Sequence, residues 1–368
     1  MRVLCQPSAL PRTSAKISRN RPAENVRRPG QSTPEASGSR DSSTRVNESR
    51  DPDAAGVDWA GLVTFSAGLF LLVFALVRGN AEGWGSALIV SFLVGAFVLL
   101  CAFVVVERRR ARPMFDLGLL RKPAFAGASI AAFALSASLF SMFLYMTLYI
   151  QNALGYSPLQ AGLRFLPTTL LSFLVAPAAG KLSARLPVRV MIGGGLGLVG
   201  IGLLLMAHLD ASSGWTALLA GFIFTGIGTG LINPPLASTA VGVVPPARAG
   251  MGSGINSTFR QIGIATGIAG LGALFQQLLE DKVSGPLARV PVEALATGSP
   301  RVAGPSAAAR HAYLQAFTGA LNDLFLVAAV VAIVGGVLSA ALIRRRDFIT
   351  AQQRPAGPAQ EAAAVEAG

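Results

Sequence analysis

Eight stretches of the chain approach or exceed the length at which an α-helix crosses a lipid bilayer: residues 59–77, 86–106, 124–150, 165–182, 188–207, 215–244, 255–275 and 317–343. Hydrocarbon offers no partner to a backbone amide or carbonyl. A spanning segment must therefore satisfy its own hydrogen bonds, as a helix of about 20 mainly apolar residues. With 52% hydrophobic and 13% charged residues and a mean hydropathy of +0.54, the chain cannot dress a water-soluble surface of its size. The expected fold class is all-α and polytopic, with about eight transmembrane helices. Pro167 and Pro177 in the fourth stretch, and Pro234 and Pro235 in the sixth, remove amide donors and predict kinks there.

The polar flanks divide the chain. Residues 1–58 are rich in Ser, Arg, Pro and Asn without an apolar period, which predicts a disordered tail. Residues 59–123 hold two helices and a basic loop, 124–346 hold six more helices, and 347–368 form a second polar tail. A net charge of +13 raises the question of a nucleic-acid partner, but the basic residues sit in loops and form no stripe with interleaved aromatics. Short loops rich in Lys and Arg stay on the cytoplasmic side of a membrane. Arg108, Arg109, Arg110, Arg112, Arg121 and Lys122 follow the second stretch, Lys181, Arg185 and Arg189 the fourth, and Arg344, Arg345 and Arg346 the eighth. All three groups fall on one face, so both termini are expected inside, at the plasma (inner) membrane.

Enzymatic chemistry finds no support. Cys5 and Cys101 cannot build a disulfide framework or a metal cluster, His208 and His311 stand alone, and no paired carboxylates occur. No cofactor is expected. The glycine sets Gly193, Gly194, Gly195 and Gly197, and Gly226, Gly228 and Gly230, lie inside apolar stretches and lack the strand and acidic residue of a dinucleotide fingerprint. They are expected to let helices approach closely, as are Gly263 and Gly267 at i, i+4.

Few polar residues interrupt the apolar stretches. Met142, Tyr145, Tyr149 and Asn152 recur at i, i+3, i+7 and i+10, placing two phenols and an amide on one helix face. That face suits either the stacking of an amphipathic molecule or an anchor at the membrane boundary. Asn233, beside Pro234, is a candidate polar cavity residue or a cap at a kink. Arg260 and Asp323 are ionisable groups within or near lipid, where such groups are functional suspects. Snorkelling of Arg260 and a boundary role for Asp323 are the alternatives.

Three segments carry a resemblance. They are Gly155-Tyr156-Ser157-Pro158-Leu159-Gln160-Ala161-Gly162-Leu163 running to Pro167; Pro177-Ala178-Ala179-Gly180-Lys181-Leu182-Ser183-Ala184-Arg185-Leu186 with Arg189; and Asn233-Pro234-Pro235 through Pro245-Pro246-Ala247-Arg248-Ala249-Gly250-Met251-Gly252-Ser253-Gly254 to Arg260-Gln261. In this order they resemble the C-terminal part of the fourteen-helix drug:proton antiporter family (EmrB/QacA type) of the major facilitator superfamily. The resemblance covers about residues 51–346 and aligns the eight stretches with helices seven to fourteen. It implies a six-helix C-terminal transporter half preceded by two central helices, with Gly180, Lys181, Arg185 and Arg189 in a cytoplasmic gating loop. It also implies a cavity gated by the third and sixth helices and lined by the fourth and seventh, which makes Tyr145, Tyr149 and Asn233 candidate substrate-binding residues. The implied function is secondary active efflux of drugs or other small amphipathic molecules, proton-coupled in the complete form. Its partners would be the bilayer, a drug, a proton and an N-terminal six-helix half with no counterpart in this chain, where the coupling acid is expected. The alternative is a non-transporting membrane fragment or a helical scaffold.

Overall fold

The computed structural model describes residues 58–110, 113–183, 185–245, 248–304 and 306–343. Of the two expected tails only Asp58 falls among these, and Arg112, Ala184, Arg344, Arg345 and Arg346 lie outside them. Among the described residues every regular element is helical. Helices α1 (Trp59–Glu82) and α2 (Ala87–Arg109) form a pair. Helix α3 (Pro123–Ala153) is continuous but contains two π-helical turns, Ser136–Phe140 and Tyr149–Ala153. Helix α4 consists of two pieces, Pro158–Arg164 and Leu166–Leu182, bent by 42°. Helices α5 (Val188–Met206), α6 (Trp215–Gly242), α7 (Ala249–Lys282) and α8 (Ala307–Leu342) follow. Seven of these are long and apolar enough to cross a membrane, and α4 makes an eighth if its pieces form one span.

Local chemistry sets the ends. The Asp58 carboxylate accepts from the Gly61 amide at 3.1 Å to start α1, and Gly83 at φ 84° closes it. Between α3 and α4, Gly155 takes φ 76°, a conformation an L side chain resists. Ser157 and Gln160 then cap each other's backbone amides, with Pro158 in the first turn. The bend in α4 falls at Phe165, where Pro167 supplies no amide to the Leu163 carbonyl; Pro177 sits within an unbroken helix, as do Pro234 and Pro235 in α6.

Helices α7 and α8 run well past their apolar stretches, which end near residue 275 and begin near 317. Their polar ends, carrying Gln276, Gln277 and Glu280 on one and Arg310, His311 and Gln315 on the other, emerge from the apolar zone together. Lys282 pairs with Asp323 at 3.0 Å, and the Tyr313 hydroxyl donates to the Leu295 carbonyl at 2.6 Å, so the segment between the helices packs back on them.

In the six-helix body α5 lies between α6 and α8, α3 packs against α7 and α8, and α4 is held chiefly by α6. Glycines make these approaches possible. A Cβ on Gly228 would stand 2.6 Å from the Gly195 carbonyl, and one on Gly263 would stand 2.6 Å from that of Phe133. Gly226 and Gly230 press equally closely on Thr168 and Ser172 of α4. The α1–α2 pair lies outside this body with α1 along α7, and the Asn80 side chain donates to the Ala269 carbonyl at 3.1 Å. At the other end of the pair the loop after α2 is latched down. Lys122 donates to the Val243 carbonyl at 2.9 Å, and Asp116 stands 3.7 Å from Arg248.

Candidate functional site

Helix α4 is the least covered member of the body, with only Ala161, Thr168 and Ala179 buried. Leu159, Leu163, Leu166, Leu170 and Phe173 recur at helical spacing and all stand exposed, Phe173 to 73%. Beside it Ile223, Phe224 and Val241 of α6 are open, as are Ser253, Ser257 and Gln261 of α7. Such an uncovered side is what a second body or a cavity would meet.

Aromatic rings bridge the helices of this side. Phe140 and Phe143 of α3 lie 6.0 Å apart between centroids, Phe143 and Phe165 of α4 5.5 Å, and Phe165 and Phe222 of α6 5.4 Å. The Arg260 guanidinium of α7 lies 5.7 Å from the centre of the Phe140 ring. It has no hydrogen-bond or ion-pair partner among the described residues, so the ring face, worth about 0.5–2 kcal/mol to a cation, is its main stabiliser. Phe140 is near the middle of α3, which puts this charge deeper than the inner end of the seventh helix, where the sequence suggests it. Asn233 is half-buried on α6, and its carbonyl oxygen is enclosed without a donor. An orphaned acceptor costs about 1–3 kcal/mol, so a donor arriving from outside the body is favoured there.

Tyr145 and Tyr149 do share a face, but the structure turns it inward. Tyr145 is 5% exposed, its hydroxyl donates to the Ile268 carbonyl of α7 at 3.3 Å, and its ring packs on Phe275. Tyr149 is 1% exposed, and its hydroxyl donates to the Ser213 carbonyl in the α5–α6 loop at 2.7 Å. Both tie α3 to its neighbours and lie away from the uncovered side. Helical period places residues on a common face; it does not say whether that face meets a helix or a cavity. Asn152 lies beyond them and bonds the Thr297 carbonyl. Asp323 sits on α8 well inside that helix and is held by Lys282. Gly180 and Lys181 end α4, Arg185 lies in the following turn and Arg189 in the first turn of α5. All four are exposed, and the three cations have no acidic partner among the described residues. The residues that sequence reading missed are Phe140, Phe143 and Phe165, since a phenylalanine in an apolar stretch carries no mark distinguishing a lining residue from a packed one.

A family model described as the Major Facilitator Superfamily matches residues 54–268. The chain is 35% identical over 229 residues to multidrug resistance protein Stp of Mycobacterium tuberculosis, covering 62% of this chain and 42% of that protein. It is 34% identical over 216 residues to cephamycin export protein CmcT of Amycolatopsis lactamdurans, covering 58% and 44%, and 29% identical over 273 residues to multidrug efflux pump LfrA of Mycolicibacterium smegmatis, covering 74% and 53%. The chain thus spans about half the length of the curated relatives it matches. Among solved structures, the inward-facing, occupied form of a bacterial homologue of the human lysosomal transporter Spinster superposes with a TM-score of 0.51 at 16% identity, covering 78% of this chain and 70% of that one, a likeness of fold alone. With more than half of its residues inside the family model, this multi-pass membrane chain belongs to the major facilitator superfamily.

Proposed function

We propose that the chain is the C-terminal portion of a drug exporter of the fourteen-helix EmrB/QacA type, with the uncovered side of α3, α4, α6 and α7 forming one wall of its cavity. The observation that carries this reading is that uncovered side, on which ring faces, an unpaired guanidinium and large apolar groups remain open beside a well-packed body. Relatives named for multidrug resistance and antibiotic export support it. In this reading Phe140, Phe143 and Phe165 offer ring surface to a small amphipathic molecule, Arg260 holds an electron-rich substituent, and Asn233 accepts a hydrogen bond. Tyr145 and Tyr149 set the position of α3. Gly180, Lys181, Arg185 and Arg189 form the cytoplasmic gating loop, with both termini on that side of the plasma membrane. Alternating access then rocks this half against an N-terminal six-helix half. Helices α3 to α6 contain no carboxylate and Asp323 is paired, so proton coupling is assigned to an acid of that other half.

The test is energy-dependent efflux of a fluorescent amphipathic dye from cells expressing the chain alone, or together with a separate six-helix N-terminal half from a relative. Efflux is expected only on co-expression and should vanish with a protonophore. Efflux from the chain alone, or none with both polypeptides in the membrane, would sink the proposal. Orientation is checked separately on a variant lacking its native cysteines: Ser212→Cys should react with an impermeant thiol reagent in intact cells and Ser183→Cys should not.

A further inference from the structure

Away from the uncovered side, a cavity of about 430 Å³ lies where α2 ends, floored by Val104, Phe115 and Leu120 and rimmed by Arg108 and Arg121. That volume is in the range of small-molecule sites, roughly 300–1,000 Å³. Two acids also border it, and both are engaged. Glu107 is 3% exposed, one carboxylate oxygen accepting from the Phe115 amide at 3.2 Å and the other enclosed by protein. Asp116 accepts from the Gly118 amide at 2.8 Å and pairs with Arg248. Of the neighbouring cations, Arg110 stands 3.7 Å from Asp58. Arg108 and Arg121 are exposed and have no ion-pair partner among the described residues, so the free charge at the rim is positive.

The cavity also continues into an apolar track. Phe97, Cys101, Val105 and Arg108 follow one another at i, i+4, i+8 and i+11 on α2, and all four are exposed. At a rise of about 1.5 Å per residue, the helix is about as long as the hydrocarbon layer is thick, which puts Arg108 in its last turn at head-group depth. A site with two free arginines at the polar boundary and an apolar track toward the bilayer centre has the two-part chemistry of a phospholipid. A soluble phosphate would use only half of it.

We propose that this groove binds an anionic phospholipid, its phosphate held by Arg108 and Arg121 and an acyl chain lying along Phe97, Cys101 and Val105. The bound lipid joins the loop that carries the Lys122 and Asp116 latches to the outer face of α2. The inference rests on membrane residence alone and stands apart from transport.

The test uses the full chain in detergent, with unfolding followed by intrinsic fluorescence after addition of phosphatidylglycerol, phosphatidylcholine with the same acyl chains, or inorganic phosphate. Phosphatidylglycerol should raise the unfolding midpoint by several degrees, and the other two should leave it nearly unchanged. Arg108→Gln with Arg121→Gln should remove most of that shift, while Arg185→Gln with Arg189→Gln, at exposed positions on the α4–α5 turn, should keep it. Native mass spectrometry of protein extracted from mixed vesicles gives a second readout, with retained phosphatidylglycerol falling severalfold in the first double variant only. An equal shift from phosphatidylcholine or from phosphate, or equal losses in both double variants, would overturn the proposal.

Discussion

The α1–α2 pair and the six-helix body solve the same problem with opposite means. In α1 and α2 only 17% of the apolar window is buried by protein, whereas in α3 the figure is 67%. Hydropathy runs the other way, at 2.4 and 3.0 for the pair against 1.8 for α3. In water the most apolar helix would be the most buried. In lipid the solvent is itself apolar, so the pair can present Phe70, Val94 and Phe97 to it at no cost. The body is instead held by shape, through Gly, Ala, Ser and Thr that bring backbones together. The contrast teaches that removing apolar surface should matter little in the pair, and adding volume should matter greatly in the body.

The largest effect is expected where two backbones touch. Gly228→Leu forces a side chain into the Gly195 carbonyl and Val199, and should lower folded membrane abundance severalfold, as overpacking costs about 1–3 kcal/mol or more. Gly194→Leu, on the same interacting helix α5 but with open space around it, should be close to neutral. Equal losses in the two, scored by size-exclusion fluorescence in detergent, would erase the distinction between shape and hydropathy.

An intermediate effect is expected at the ties between the regions. Asn80→Ala with Lys122→Met removes a hydrogen bond at each end of the pair, each worth about 0.5–1.5 kcal/mol for a neutral group and more for the lysine. Hydrogen exchange should then quicken in α1 and α2 while α5 and α6 keep their protection. Matched quickening in all four helices would mean that the pair and the body unfold as one.

The smallest effects separate packed from lining residues within the body. Tyr149→Phe should cost about 1 kcal/mol by orphaning the Ser213 carbonyl. Asn233→Leu should cost nothing or stabilise, because the amide oxygen it removes has no donor, while changing which dyes the co-expressed halves export. A destabilised Asn233→Leu would place that residue with the packing groups.

The spans were legible because about 20 apolar residues cannot be hidden, and their count follows from hydropathy alone. The ends of α7 and α8 were not, since these helices leave the apolar zone and continue as polar helix held by Lys282, Asp323 and Tyr313. The glycine pattern was readable as close approach, and Gly263 and Gly267 do meet the backbone of α3. The inward turn of Tyr145 was not readable, because both faces of a membrane helix are apolar and periodicity cannot choose between them. Arg260 was recognisable as an unusual residue, but its depth depends on α7 beginning at Ala249 and on a long side chain reaching Phe140.

The two π turns of α3 can also be counted as an alignment would count them. A π turn closes its hydrogen bond over one residue more than an α turn, so Ser136–Phe140 and Tyr149–Ala153 each act as a one-residue insertion absorbed without breaking the helix. Deleting one residue at the first would restore α geometry and swing all that follows by about 100°. Tyr145 would leave Ile268, and Tyr149 would leave Ser213. At this helix a single gap between two related sequences therefore carries more structural meaning than several substitutions, because it decides which stripe of α3 every neighbour meets.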